Sequence, residues 1–340
     1  MGMAGGRVDA AAEDGHHTLE AKAEDHRPTR RRVCNNDDLQ SPLRYPGGKR
    51  QLVPFFVDLL KINGLTPLEL FIEPFSGGAA VSLHLLAAGA VEHVVLAERD
   101  PQVYAFWREA CYNTETLIGD ILNADVTLEE WHRLREYPGR SLRELAYACL
   151  FLNRTSYSGI LHGRAGPIGG QRQTSKYKVD CRFPKEEIAA RIRRIGKLAA
   201  DGRILSVLPH DFETTVWDVE ERFKSFERLY YFDPPFYDKG SRLYRHAFEQ
   251  SDHVRLATLL KSLARRWVLS YDYHEEILDL YKRSTASDDQ SGGVAVLDAA
   301  HELHTAELQY GNRHADKAAT ELVITNLAQV PEGHVRRAAK

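Results

Sequence analysis

The sequence predicts an α/β fold, strands alternating with helices, with a ligand site beyond the carboxyl ends of the strands. Three observations predict it. The run Leu68-Glu69-Leu70-Phe71-Ile72 leads through Glu73-Pro74-Phe75-Ser76-Gly77-Gly78 into a helical pattern, Val81 to Ala88; this is strand, glycine turn, helix. A second apolar run, Val94-Val95-Leu96-Ala97, ends in Glu98. A third, Leu229-Tyr230-Tyr231-Phe232, ends in Asp233-Pro234-Pro235-Phe236. Open α/β sheets bind ligands where these acids fall.

Bulk properties remove several classes. The chain has 340 residues, 43% hydrophobic and 27% charged, with a net charge of −3; this is ordinary for a soluble globular protein and long enough for one large domain with an insertion. No apolar run approaches the ~20 residues of a membrane span, and the N-terminus has no signal-peptide core. Cys34, Cys111, Cys149 and Cys181 lie far apart, so neither a disulfide framework nor a zinc site is expected, and a reducing cytoplasm is the default.

Taken in order, residues 1–38 carry no periodicity and read as a mobile tail. Tyr45-Pro46-Gly47-Gly48-Lys49 marks a tight turn into a helix, Gln51 to Lys61, with Leu52, Phe55, Phe56 and Leu59 on one face. It lacks the spacing of a Walker motif. The turn at Gly77-Gly78 lets the backbone approach a ligand, and the following helix offers free N–H groups. It is not a dinucleotide fingerprint, but an acid about 20 residues on commonly binds ribose hydroxyls. Glu98 has that place.

Residues 113–203 differ in character. Helical patterns at 127–136, 141–152 and 185–199 flank a Gly-, Arg- and Lys-rich loop, Asn153 to Arg182, and residues 151–205 hold 12 Lys/Arg against 4 Asp/Glu. Tyr157 and Tyr177 lie among these charges, and Asn153, Gln171 and Gln173 have amides suited to base edges. The segment suits nucleic acid, the plainer alternative being a solvated loop. The sheet resumes at Arg203 to Leu208, with His210-Asp211-Phe212 at its end. A helix from Ser251 to Ala264, a strand at Trp267 to Tyr271, a loop at 284–293 and a closing hairpin of His304–Tyr310 with Glu321–Asn326 complete the chain. His301 and His304 lack metalloprotease spacing and are read as structural; residues 331–340 read as a second tail.

Four stretches occur in one order: Tyr45-Pro46-Gly47-Gly48-Lys49, Phe71-Ile72-Glu73-Pro74-Phe75-Ser76-Gly77-Gly78, Asn153-Arg154-Thr155 and Asp233-Pro234-Pro235-Phe236. Together with Lys239 to Tyr244, Asp252-His253, Leu269 to Asp272 and Glu321 to Ile324, they resemble the Dam-type (class I, alpha-group) DNA adenine methyltransferases over residues 41–327. The resemblance implies a Rossmann-like S-adenosylmethionine-dependent sheet with helices on both faces, formed by residues 39–112 and 204–330, and a mainly helical target-recognition insertion at 113–203. It implies that Asp233, Pro234, Pro235 and Phe236 hold the target base. Tyr45 and Lys49 would contact the cofactor region. Glu73, Pro74, Phe75, Ser76, Gly77 and Gly78 would form its methionine side, Glu98 would bind its ribose, and Asp211 and Phe212 its adenine, with Asp233 beside them. Asn153, Arg154, Tyr157, Ser158 and Arg164 are the expected DNA contacts.

The expected activity is methyl transfer to the N6 amino group of an adenine flipped out of duplex DNA, by a monomer without a metal and in the cytoplasm, at the nucleoid. A cognate restriction endonuclease is compatible with it. Other planar amino groups (cytosine N4, an RNA base, a protein glutamine) suit the same site, and a non-catalytic DNA-binding protein is the alternative of a different class. Two departures from the family pattern stand out. Ala79 replaces the last glycine of the turn, where a positive φ would be costlier, and Phe236 replaces the commoner tyrosine.

Overall fold

A computed structural model describes residues 39–45, 48–163, 165–237, 240–281, 304–310 and 319–331. Arg164, the 284–293 loop, His301 and both tails, expected from the sequence, lie outside these residues. In chain order the elements are α1 (Val53–Ile62), β1 (Leu68–Glu73), α2 (Ala80–Ala87), β2 (Val91–Ala97), α3 (Pro101–Tyr112), α4 (Thr114–Leu122), α5 (Leu128–Glu136), α6 (Leu142–Thr155), α7 (Lys185–Ala200) and β3 (Ile204–Leu208). There follow α8 (Phe212–Arg222), β4 (Arg228–Phe232), α9 (Gly240–Leu243), α10 (Gln250–Ser262), β5 (Arg266–Asp272), α11 (Glu275–Tyr281), β6 (His304–Tyr310) and β7 (Ala319–Thr325).

The strands form one sheet of seven, in the order β3-β2-β1-β4-β5-β7-β6. Strands β1 to β5 pair in parallel, and β7 runs antiparallel to both β5 and β6. The chain winds one way from β1 to β3 and the other way from β4 to β5, so the winding reverses between β1 and β4. Such a reversal opens a crevice beyond the strand ends. Glu73 closes β1 and Asp233 follows β4, so both acids flank it. The reversed β7 brings its N-terminal end to the same edge: Glu321 is in register with Asp272 at the end of β5.

Side chains alternate between two cores, as the pleat requires. Phe71, Leu229, Tyr231 and Val268 face a core shared with α1 to α7, whereas Leu70, Ile72, Tyr230, Phe232 and Leu269 face α8, α10 and α11. The sheet therefore has helices on both faces, the Rossmann-like arrangement expected. Helices α3, α4, α8 and α11 were not among the elements expected from the sequence, although Asp100-Pro101 is a strong start signal. Asp100 caps α3 by accepting from the backbone N–H groups of Gln102 and Val103, and Pro101 occupies the first turn, where its missing N–H is harmless. Among the described residues no helix is long and apolar enough to cross a membrane, and no cluster of metal-ligating side chains is present.

Helix α6 opens with a capping box, Ser141 with Glu144, and extends three residues into the stretch expected to be loop. Asn153 and Arg154 therefore sit on a buried helix end, their side chains bonded within the protein. Asn153 is fully buried: Oδ1 accepts from the Arg44 N–H at 2.6 Å, and Nδ2 donates to the carbonyls of Arg44 at 3.1 Å and Gly159 at 2.9 Å. Arg154 donates to the carbonyls of Arg182 at 2.6 Å and Pro42 at 3.3 Å. Both side chains are committed to the protein where base and phosphate contacts were expected: Asn153 ties Arg44 to the turn at 157–159, and Arg154 ties Pro42 to Arg182. Gly159 fits there with φ +74° because an added Cβ would lie 2.0 Å from the Arg44 carbonyl. Losing several buried hydrogen bonds at once costs about 3 kcal/mol. Asn153→Ala should lower unfolding stability in urea by about that amount, and Arg154→Ala should weaken DNA binding only in step with its loss of folded protein. DNA binding lost from fully folded Arg154→Ala would contradict this assignment.

Candidate active site

The glycine turn is held from both sides. The Gly77 N–H donates to Glu98 Oε2 at 3.0 Å, and Trp107 Nε1 donates to the Gly77 carbonyl at 2.7 Å. Tyr45 lies over the turn, so that a Cβ on Gly77 would fall 2.7 Å from its ring and one on Gly78 2.9 Å from its Cβ. Ala79 has φ +47°, the left-handed conformation anticipated at this departure from the family pattern; an L-residue pays about 1–2 kcal/mol for it.

Around this turn lies a cavity of about 340 Å³ lined by Tyr45, Lys49, Glu73, Phe75, Ser76, Gly77, Gly78, Glu98 and Asp233, with Tyr244, His246 and Phe248. Most of the residues expected for the cofactor thus meet in one place. Pro74 and Pro234 are buried in the two turns. Phe212 lies behind the cavity wall, its ring 5.8 Å from Phe75 and 5.7 Å from Phe248, with the Arg255 guanidinium 5.4 Å away. Asp211 caps α8 by accepting from the Thr214 N–H at 2.9 Å.

Three acids have distinct environments. Glu73 is buried, its Oε2 accepts from Ser82 Oγ at 2.5 Å, and no cation pairs with it among the described residues. Burial pushes its carboxyl up to about 8. Glu98 bridges two turns, accepting from the N–H groups of Gly77 and Asp100, both at 3.0 Å, and burial raises its carboxyl to about 7. Ser76 Oγ is buried without a partner. An unpaired buried acid, an unsatisfied hydroxyl and a bridging carboxylate fit a ligand that carries positive charge and a diol.

Asp233 is the hub. Its Oδ1 lies 2.7 Å from Lys49 Nζ and accepts from Ser270 Oγ at 2.8 Å. Lys49 also reaches Glu321 Oε1 at 3.2 Å and stands 4.8 Å from the centre of the Phe236 ring. Lys49 was expected at the cofactor; it lines that cavity, but its charge is paired with Asp233 and Glu321. Its two acidic neighbours hold the ammonium well above the usual lysine range against the effect of burial. Phe236, half-buried, meets Tyr244 edge-on at 6.0 Å, and Tyr244 stacks on Tyr45 at the same spacing. Sequence reasoning did not give roles to Ser270, Tyr244 or Glu321. An acid opening the otherwise apolar strand Leu322-Val323-Ile324 was the available signal.

On the segment expected to meet DNA, Tyr157 is 71% exposed. It sits with exposed Ser158 at the base of a loop closed by a bridge between Ser156 and Pro167, its N–H donating to the Gly166 carbonyl at 2.9 Å. Arg135 steadies that loop by donating to the carbonyls of Leu161 and Gly163, both at 2.6 Å. Gln173 is spent on its own loop, bonding to Ile168, Gly170 and Val179. Within the basic segment Arg191 and Lys197 pair with Glu187 and Asp201, acids already counted in its +8 balance, and Arg193 pairs with Glu115 from outside it. Arg172, Lys176 and Tyr177 remain exposed.

The raised carboxyl of Glu73 has a thermodynamic consequence. Unfolded, the group titrates near 4.5; folded, near 8. Between those values the folded state binds more protons, so this contribution to stability is full below the unfolded value and lost as pH rises through the folded one. The ligand-free melting temperature should therefore fall from about pH 5 to about pH 8, and Glu73→Gln should flatten the fall. Equal slopes for both proteins would contradict it.

A family model described as D12 class N6 adenine-specific DNA methyltransferase matches residues 45–290, which span the glycine turn, the Asn153 clamp and Asp233. The chain is also similar to the type II methyltransferase M.MjaIII of Methanocaldococcus jannaschii, 24% identical over 255 residues, which are 66% of this chain and 80% of that protein. It is 23% identical over 242 residues to the type II methyltransferase M.CviBI of Paramecium bursaria Chlorella virus NC1A, covering 70% of this chain and 85% of the relative. The matched span includes the acids, the glycine turn and the lysine that the fold gathers, and the chain belongs to the D12 class of N6 adenine-specific DNA methyltransferases.

Proposed function

We propose that the protein methylates the N6 amino group of an adenine extruded from duplex DNA, with S-adenosylmethionine as donor. The observation that carries this reading is a carboxylate, Asp233, with one oxygen held by the protein, on the same cavity as a glycine turn flanked by unpaired Glu73 and bridging Glu98. The glycine turn, Ser76, Glu73 and Glu98 would hold the cofactor, and the wall formed by Phe75 and Phe248 gives its adenine an apolar surface backed by Phe212. S-adenosylmethionine, when bound, supplies a methyl group already activated on a sulfonium.

The residues of the chain act on the acceptor. Adenine's amino lone pair is delocalised into the ring, so the nitrogen is a poor nucleophile. Hydrogen bonds from that amino group to Asp233 Oδ2 and the Pro234 carbonyl favour the tetrahedral nitrogen of the transition state, and these acceptors are preorganised. The two prolines leave the turn without competing N–H donors. Phe236 stacks on the extruded base, whose unstacking costs a few kcal/mol. The proton leaving the methylated nitrogen meets Asp233 as its nearest base and passes to solvent. Tyr157 and Ser158, exposed at the base of the 157–166 loop, touch the duplex, with Arg164 further along the same loop. One active site suffices for one extruded base, so the protein works as a monomer.

Asp233→Ala tests the reading. Lys49 keeps Glu321 as a partner in that variant, so the fold should survive. Transfer of labelled methyl should drop at least a thousandfold, about 4 kcal/mol of transition-state stabilisation, while cofactor affinity by calorimetry changes less than about threefold, under 1 kcal/mol. Turnover within tenfold of the unaltered protein would overturn the role of Asp233.

A further inference from the structure

Donor counting orders the hydrogen bonds behind Asp233. A carboxylate only accepts, so the single Ser270 hydroxyl proton must point to Asp233 Oδ1 at 2.8 Å. Ser270 Oγ can then only accept from Tyr231, whose hydroxyl lies 2.8 Å away. Ser270 and Tyr231 are both fully buried, on adjacent strands β5 and β4. Burial and the Asp233 charge push the Tyr231 hydroxyl well above its ordinary range, which keeps it a donor. With Lys49 as second donor, both in-plane lone pairs of Oδ1 are filled, and Oδ2 accepts nothing among the described residues.

The other side of Lys49 is equally constrained. Glu321 lies near the start of β7, in register with Asp272, its side chain only 10% exposed, with Lys49 as its ion-pair partner. One ammonium thus serves two carboxylates, Asp233 and Glu321, leaving the trio with one net negative charge when all are ionised. A simple Lys49–Asp233 pair would be neutral and would oppose positive charge on the acceptor nitrogen only weakly.

We infer that Tyr231, Ser270, Lys49 and Glu321 form a positioning network that ties one oxygen of Asp233 to the protein, turns the other toward the amino acceptor, and keeps net negative charge beside it. The inference rests on the reading of Asp233 given above. Tyr231 and Ser270 act through hydrogen-bond direction; Glu321 acts through charge, by way of Lys49. Burial raises the Glu321 carboxyl; the groups facing it are Lys49, Asp233 and Asp272, with the hydroxyls of Tyr231 and Tyr244 nearby.

The test is single-turnover methyl transfer to duplex DNA by the full chain and four variants, Ser270→Ala, Tyr231→Phe, their double and Glu321→Gln, each checked for folding by thermal melting and for cofactor affinity. Ser270→Ala should slow transfer by about tenfold or more, as expected for a misaligned catalytic group, without changing cofactor affinity. Tyr231→Phe should slow it less, and the double variant should be no slower than Ser270→Ala, because Tyr231 acts only through Ser270. Glu321→Gln, which keeps shape but removes charge, should slow transfer about tenfold and weaken the loss of rate as pH falls through neutrality, because the group whose protonation neutralises the trio is gone. Multiplying losses in the double variant, or a Glu321→Gln protein with an unchanged rate or an unchanged pH profile, would overturn the network. No transfer by the unaltered protein would overturn instead the functional reading beneath it, and the network with it.

Discussion

The buried contact between Lys49 and Asp233 is the interaction on which the rest of the site depends. An ammonium and a carboxylate taken out of water lose several kcal/mol of hydration each, recovered only with close geometry and further partners. The partners here come from every direction: Ser270 from β5, Glu321 from β7 and the Phe236 face from the turn after β4. The pair therefore fixes the loop before α1 to the ends of three strands. It joins the segment that carries Tyr45 over the glycine turn to the Asp233-Pro234-Pro235-Phe236 turn.

The sheet order makes this convergence possible. Reversal of winding between β1 and β4 sets Glu73 and Asp233 on either side of one crevice, and the antiparallel entry of β7 adds Glu321 to its edge. On the far side, the Asn153 clamp ties the residues before Tyr45 to the exposed turn at 157–159. One buried amide thus joins that turn to the backbone that leads toward Lys49. The glycine turn, Asp233 and the 157–159 turn are tied together by short polar contacts.

Local pattern revealed much of this in the sequence. Strand, glycine turn and helix at 68–88, the acid at Glu98 and the acid after β4 were all legible because each is encoded within a few residues. What stayed hidden was long-range. Asn153 reads as a base-reading amide until its helix is seen to run to Thr155 and bury it. Lys49 reads as a cofactor anchor, yet its charge is met by residues 184 and 272 positions away. Glu321 reads as an ordinary strand residue because only the antiparallel register with Asp272 shows which edge it occupies. The basic excess at 151–205 reads as one charged surface, and its dispersal on α7 follows from i,i+4 and cross-helix pairing that composition does not record.

The most direct test of the central claim, that this carboxylate serves an adenine amino group, is the chemical identity of the product. Unmethylated duplex DNA is incubated with the full chain and S-adenosylmethionine, digested to nucleosides and analysed by mass spectrometry. The expected product is N6-methyl-2′-deoxyadenosine, with no other methylated nucleoside. N4-methylcytosine in its place would contradict the assigned acceptor while leaving the fold and the acid network standing.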